Sequence, residues 1–187
     1  MKFSIEDTDL KEVKIIIPHV FEDDRGFFME VFNKDIFDEL GIPSNFVQMN
    51  HSRSVKNVIR GLHFQWDPLV GKLMRVTLGN AFVVAVDIRK DSLTFGEWVG
   101  YYLSDHNKKQ MWAPAEFARG FCVISDVAEV QYLATGTYNH KSEGEILWND
   151  PNIGIHWPTE NPILSSKDAN AITLKEWSNS KYSNYVR

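Results

Sequence analysis

The chain predicts an all-β protein, a sandwich or barrel with a few short helices. Three observations carry this. Short runs rich in β-branched and aromatic residues recur along most of the length, turn residues separate them, and one stretch alone has a clear helical signature. Many strands at this spacing suit a two-layered or closed sheet, because a lone sheet leaves one apolar face bare.

Val13–Ile17 is an apolar, β-branched run stopped by Pro18, and reads as a strand. The turn Asp23-Asp24-Arg25-Gly26 leads into a second strand, Phe27–Phe32. Asn33 to Gly41 is the helix. Asn33 caps it, Asp35 favours its N-terminal dipole, Ile36, Phe37 and Leu40 share an apolar face, and Gly41 with Pro43 stops it. Phe46–Ser52 and Val58–Gln65 read as strands. Lys72–Leu78, the turn Gly79-Asn80 and Ala81–Ile88 predict a tight hairpin. Trp98–Leu103, Gln110–Ala113, Phe121–Ile124 and Ala128–Thr135 are further short strands. Thr137–Pro158 reads as a long loop, and Ser165–Trp177 as one short helix. No repeat, linker or low-complexity tract divides the chain, so one domain over residues 1–187 is expected.

Composition narrows the function classes. With 187 residues, 43% apolar and 13% aromatic, the chain can bury a real core. Its formal charge of −5 excludes general nucleic-acid binding, which rests on phosphate neutralisation by Lys and Arg. A local basic pocket for one phosphorylated ligand stays open. Cys122 is the sole cysteine, so no internal disulfide can form, which fits a reducing compartment. Met1–Lys14 is mostly polar without an apolar signal core, and no apolar run is long enough to span a membrane. A cytoplasmic protein with no membrane partner is the expectation.

One stretch stands apart, Arg60-Gly61-Leu62-His63-Phe64-Gln65. On a regular strand Arg60, Leu62 and Phe64 share one side, and Ile59, Gly61, His63 and Gln65 the other. The second set is odd for a packed face. Glycine leaves room, histidine moves a proton near neutral pH, and glutamine hydrogen-bonds. That set suits the floor of a ligand cavity. A core histidine satisfied by one hydrogen bond is the alternative.

Eight short motifs then fall in order: Asp24-Arg25-Gly26-Phe27-Phe28, Phe46-Val47-Gln48, Arg60 to Gln65, Gly71-Lys72-Leu73, Val86-Asp87-Ile88-Arg89-Lys90, Pro114 to Phe121, Trp148-Asn149-Asp150-Pro151 and Leu164-Ser165-Ser166-Lys167-Asp168. Together they resemble the dTDP-4-dehydrorhamnose 3,5-epimerase family, from about Val13 to Ala171. The resemblance implies a cupin-type jelly roll (a double-stranded β-helix), a homodimer, no cofactor and no metal. It implies a nucleotide-linked 4-keto-6-deoxy sugar as substrate, in which the C4 ketone acidifies the hydrogens on C3 and C5.

Epimerising such a sugar needs a base on one face, a stabiliser for the enolate and an acid on the other face. By the resemblance His63 is the base, Asp168 its carboxylate partner, Lys72 the group near the C4 oxygen and Tyr132 the acid. Tyr138 is a second pocket tyrosine. Arg25, Phe27, Glu30, Gln48, Asn50 and Arg60 match nucleotide and pyrophosphate contacts, where a guanidinium bridges two oxygens well. Each has a plainer reading. Lys72 is an ordinary solvated lysine, Asp168 a helix-capping residue after Ser165, Tyr132 plain core, and Arg60 half of a surface ion pair.

The chain departs from the family's pattern at three places. Arg119 stands where the family has histidine in Pro-x-x-Phe-Ala-His-Gly-Phe, and a fixed cation cannot titrate as histidine does. Leu133 stands where lysine follows the tyrosine, and Met49 where aspartate is common. Positions 119 and 133 are both expected near the pocket, with Arg119 contacting substrate. Other functions remain open. A relative inverting C3 or C5 alone, or a 3,4-ketoisomerase, would use the same groups. A metal-dependent oxygenase of the same fold needs about three histidines and a carboxylate, whereas this chain has His63-Phe64-Gln65 and leaves His106, His140 and His156 in polar loops. A non-catalytic sugar-nucleotide binding module would not need a full set of proton-transfer groups.

Overall fold

The computed structural model describes residues 3–186; residues 1, 2 and 187 of the expected domain lie outside them. The strands are β1 (Phe3–Asp7), β2 (Lys14–Pro18), β3 (Val20–Asp23), β4 (Gly26–Met29), β5 (Gln48–Val55), β6 (Ile59–Gln65), β7 (Lys72–Leu78), β8 (Asn80–Asp87), β9 (Trp98–Ser104), β10 (Gln110–Ala113), β11 (Phe117–Val123), β12 (Val127–Ala134) and β13 (Glu143–Glu145). The helices are α1 (Lys34–Glu39), α2 (Ser166–Ala169) and α3 (Leu174–Asn179), followed by a 3-10 turn at Lys181–Tyr185. One sheet runs β1-β2-β10-β7-β12-β5, a second β13-β6-β11-β8-β9, and β3 with β4 forms a separate two-stranded arm.

The layers follow from alternation. On β8, Ala81, Val83 and Ala85 face the other sheet, where they meet Met74, Val76, Met111 and Val130. Phe82, Val84 and Val86 face outward under the C-terminal segment, against Trp177 and Leu174. A third cluster packs α1 through Phe37 on the outside of the six-stranded sheet, over Ile16, Leu73 and Trp112. Both faces of the central strands are therefore buried, and burial of this kind is the main stabilising term of the fold. Among the described residues no helix is long and apolar enough to cross a membrane.

Several elements differ from expectation. β7 and β8 do not form a hairpin; they belong to different sheets. Gly79 turns the corner with φ +75°, and a Cβ there would lie 2.2 Å from the Val127 carbonyl oxygen. The chain thus crosses between layers where local turn chemistry alone suggests it folds back. The aromatic second strand stops at Met29, because it pairs with β3 alone. The Phe121–Ile124 strand begins earlier, at Phe117, and runs alongside β8 throughout. The long loop contains β13, and the expected C-terminal helix is two helices, α2 and α3. β1, which the sequence reading does not include, adds an edge strand beside β2. The helix after Asn33 forms as expected, with the Asn33 side chain accepting from the Ile36 N–H at 3.3 Å.

Candidate active site

The strand phase of β6 changes partway along, and this decides what faces the cavity. Ile59, Leu62 and Phe64 all lie in the outer cluster. Opposite them on β11, Arg119 pairs with His63 and Phe121 with Arg60, with an irregularity between. Two residues of β6, Gly61 and Leu62, therefore oppose Gly120 alone, which is the count of a β-bulge. The extra residue reverses the alternation. Arg60 and His63 end on the same inner side, against the expectation from a regular strand, and Ile59 turns outward. Gly61 is required at the bulge: its φ is +131°, and a Cβ would stand 2.6 Å from the Gly120 Cα. Its N–H donates to Asp168 Oδ1 at 3.3 Å.

A cavity of about 380 Å³ opens between the two sheets at this end. Gln48 and Asn50 of β5, Lys72 of β7 and Tyr132 of β12 line one wall; His63 and Gln65 of β6, Arg119 of β11 and Glu143 of β13 line the other. A smaller recess of about 170 Å³ adjoins it, bordered by the exposed Arg60 and sharing His63, Lys72, Arg119 and Tyr132.

His63 is held at its Nε2, 2.6 Å from Asp168 Oδ1. A neutral imidazole that donates there keeps its lone pair on Nδ1. Asp168 is 3% exposed. Ser165 caps α2 by accepting from the Asp168 N–H at 3.1 Å, and its hydroxyl donates to Asp168 Oδ2 at 2.7 Å. Asp168 is thus both a first-turn helix residue and the partner of His63, so the two readings of it coexist. Burial alone would raise its carboxyl, but the His63, Ser165 and Gly61 hydrogen bonds hold it below the ordinary carboxylate range.

Across the cavity, the Lys72 Nζ lies 4.6 Å from the centre of the Tyr132 ring. Burial brings Lys72 down to about 7, Arg119 pushes the same way, and Glu143 pulls against both. The Tyr132 hydroxyl accepts from Asn50 at 2.8 Å, and Asn50 in turn accepts from Gln48 at 2.8 Å. Arg60 donates to the Ser54 hydroxyl at 3.0 Å, not to a surface carboxylate. At the mouth, Tyr138 is 60% exposed and donates to Glu143 at 2.8 Å. Lys167 bonds Glu143 at 2.6 Å and also pairs with Glu145. Glu143 is a cavity residue that the sequence motifs do not single out. Its signal is non-local: β13 pairs with β6 so that Glu143 lies opposite Gln65.

Not every expected residue joins the site. Arg25 and Phe27 sit on the β3–β4 arm, exposed, lining a separate groove, with Arg25 paired to Asp23. Glu30 follows the arm and accepts from Asn33 at 3.2 Å. Leu133 is not in the pocket. Tyr132 faces inward, so Leu133 faces outward, opposite Met49 on β5, and both line a groove on the outer side of the six-stranded sheet. Among the described residues no group of three His, Cys, Asp or Glu side chains comes together as a metal site would need.

Comparison with known proteins gives the same picture over most of the chain. Residues 7–176 match the family model for dTDP-4-dehydrorhamnose 3,5-epimerase. A dTDP-4-dehydrorhamnose 3,5-epimerase of Escherichia coli strain K12 is 54% identical over 172 residues, 90% of this chain and 93% of that one. One from Shigella flexneri is 53% identical over 165 residues, 87% of this chain and 91% of that one. A Legionella pneumophila dTDP-6-deoxy-D-glucose-3,5-epimerase, solved with dTDP-4-keto-L-rhamnose, superposes with a TM-score of 0.90 at 48% identity, covering 92% of this chain and 93% of that one.

Proposed function

This chain belongs to the dTDP-4-dehydrorhamnose 3,5-epimerase family, with its cupin-type jelly roll, and on that premise we propose how its own residues carry the reaction. It is an isomerase that epimerises a dTDP-linked 4-keto-6-deoxyhexose next to the C4 ketone, at C3, C5 or both. The observation that carries the mechanism is the 2.6 Å His63–Asp168 pair on one wall of a cavity whose other wall holds Tyr132 and Lys72.

His63 takes the proton from the sugar carbon through the nitrogen not engaged by Asp168. The electron pair moves toward C4, and the ketone oxygen becomes an enolate oxygen. Asp168, kept ionised, orients the ring and stabilises the imidazolium that forms. Lys72 stabilises that oxygen as its charge develops. Tyr132 returns a proton from the opposite wall, which restores the ketone with inverted carbon. Gln48, Asn50 and Arg60 bind the nucleotide diphosphate, and Tyr138 borders the entrance. The test is NMR of dTDP-4-keto-6-deoxyglucose in deuterated water with the purified protein. Deuterium entering C3, C5 or both, with inversion, is the expected result and tells how many carbons react; no exchange at either carbon sinks the reading.

The same reading makes the protein a cytoplasmic homodimer built from one domain per chain. The arm leaves Phe21, Phe27 and Phe28 exposed, Phe28 at 70%. Met49 and Leu133, with Phe32 and Leu73, line an apolar groove of about 390 Å³ on the outer sheet face. Apolar surface of this kind fits a second copy of the chain. A dimer would also give Arg25, Phe27 and Glu30 a cavity to serve, since they lie away from their own. A monomer mass by light scattering at micromolar concentration would count against it.

A further inference from the structure

Two side-chain amides, Gln48 and Asn50, form a hydrogen-bonded chain with a fixed direction, and it ends on the Tyr132 hydroxyl. On β5, Asn50 lies directly across from Tyr132 of β12, and Gln48 across from Ala134. Alternation puts Gln48 and Asn50 on one face, in the wall of the cavity. Gln48 Oε1 accepts from the backbone N–H of Tyr138 at 2.9 Å. Its Nε2 donates to Asn50 Oδ1 at 2.8 Å, and Asn50 Nδ2 donates to the Tyr132 hydroxyl at 2.8 Å. An amide side chain can turn end for end, but a backbone N–H can only donate. Tyr138 therefore fixes Gln48, Gln48 fixes Asn50, and Asn50 presents an N–H to Tyr132. The start of the chain is itself anchored. Gln65 of β6 is 6% exposed; it accepts from the Asn139 N–H at 2.8 Å and donates to the carbonyls of Thr137 at 3.1 Å and Pro68 at 2.8 Å. The residues on either side of Tyr138 are thus tied to the strand that carries His63. Gln65 reads in the sequence as a ligand group of the cavity floor, yet both ends of its amide hold backbone.

A tyrosine hydroxyl has one proton to give and lone pairs that receive. Asn50 fills a lone pair, and among the described residues no acceptor takes the proton, so the O–H is left to donate into the cavity that Tyr132 lines. Resting on the epimerase reading, we propose that Asn50 is a positioning residue for Tyr132 as the acid, with Gln48 and Gln65 setting its polarity. When Tyr132 acts, its O–H bond breaks, a C–H bond forms on the sugar carbon, and the electron pair stays on the phenolate oxygen. The Asn50 N–H already points at that oxygen. A hydrogen bond to a charged acceptor is roughly twice as strong as one to a neutral acceptor, so the contact strengthens as the proton leaves. Tyr132 regains a proton from solvent while His63 releases its own there. One N–H and one lone pair of Asn50 remain for the nucleotide, so the two roles are compatible.

The test is the ratio of inversion to deuterium uptake at the sugar carbon, read by NMR in deuterated water with dTDP-4-keto-6-deoxyglucose at saturation. Wild type is measured first; if it neither exchanges nor inverts, the epimerase reading and this proposal fall together. With an active wild type, Asn50→Asp keeps the shape but replaces the donor by an acceptor, which draws the Tyr132 O–H away from the cavity. Inversion per exchange event should drop by about 10- to 100-fold, the scale of one hydrogen bond to a charged group. Asn50→Leu deletes the contact without reversing it; it should give a smaller drop, and it carries the test should the Asp variant not fold. In a Tyr132→Phe background, Asn50→Leu should change the ratio no further, because Asn50 acts through that hydroxyl. A residue that only binds nucleotide or only supports the fold would lower exchange and inversion together. An unchanged ratio in an active Asn50 variant therefore overturns the proposal. So does a further drop in the double variant.

Discussion

The two ends of the sandwich interior lie between the same two sheets and do opposite things. Toward β8, β9 and β10 the inward positions are Ala81, Val83, Ala85, Val99, Leu103 and Met111, and the space is filled. Toward β5, β6 and β13 the inward positions are Gln48, Asn50, Arg60, His63, Gln65 and Glu143, and the space stays open. Strands such as β12 run through both, with Ala128 and Val130 in the closed end and Tyr132 at the open one. Strand pairing, with the bulge in β6, supplies the inward positions, and side-chain chemistry then divides core from site. Polar groups at the open end hold each other in chains, as from Gly61 and Ser165 to Asp168 to His63, because each would be costly unpaired.

The comparison breaks if the open end matters as much to stability as the closed one. The largest effect expected is His63→Ala. Loss of the sole base should slow solvent exchange at C3 and C5 by about 10,000-fold or more, the upper end for acid–base catalysis, while the stability lost stays below that of a core truncation because Asp168 keeps its bonds from Ser165 and Gly61. Exchange persisting near the wild-type rate would move the base elsewhere.

At the closed end, Leu103 is fully buried. Leu103→Ala should cost about 2–5 kcal/mol of stability by denaturant unfolding, while the folded variant keeps its kcat. A kcat that falls in step would mean the two ends are coupled.

Tyr132→Phe sharpens the division inside the open end. It retains the ring under Lys72 and deletes the hydroxyl that Asn50 holds. Proton abstraction, read as deuterium uptake, should continue, whereas inversion falls about 100-fold. If this variant inverts normally and Tyr138→Phe does not, the acid is Tyr138.

The smallest effect concerns Lys72. Its pKa is about 7 in the folded protein against the usual 10.5, so between these values the unfolded chain binds the extra proton. Its contribution to stability therefore rises with pH across that window and is least favourable below about 7, where the buried ammonium is charged. Lys72→Met should melt higher than wild type at pH 6, by roughly 2–4 °C, with the gap closing toward pH 10. A gap that widens with pH would show Lys72 is not held in this way.

Strand positions, the Asn33 cap, the family and the residue types of the proton-transfer set are written in the sequence, because each depends on local pattern or on motif. His63 as the odd residue of its strand was legible for the same reason. What neighbouring residues alone do not determine is register and layer. Gly79-Asn80 has the chemistry of a hairpin turn, yet it carries the chain between sheets, since β7 finds β10 and β12 while β8 finds β9 and β11. The bulge at Gly61 exists because Gly120 on a distant strand opposes two residues, and that single insertion puts Arg60 beside His63. Glu143 joins the site through a three-residue edge strand that no local pattern marks. Leu133 leaves it because its neighbour Tyr132 took the inward face. Backbone pairing across long sequence separations decided these, and one residue of shift in such a pairing exchanges the two faces of a strand.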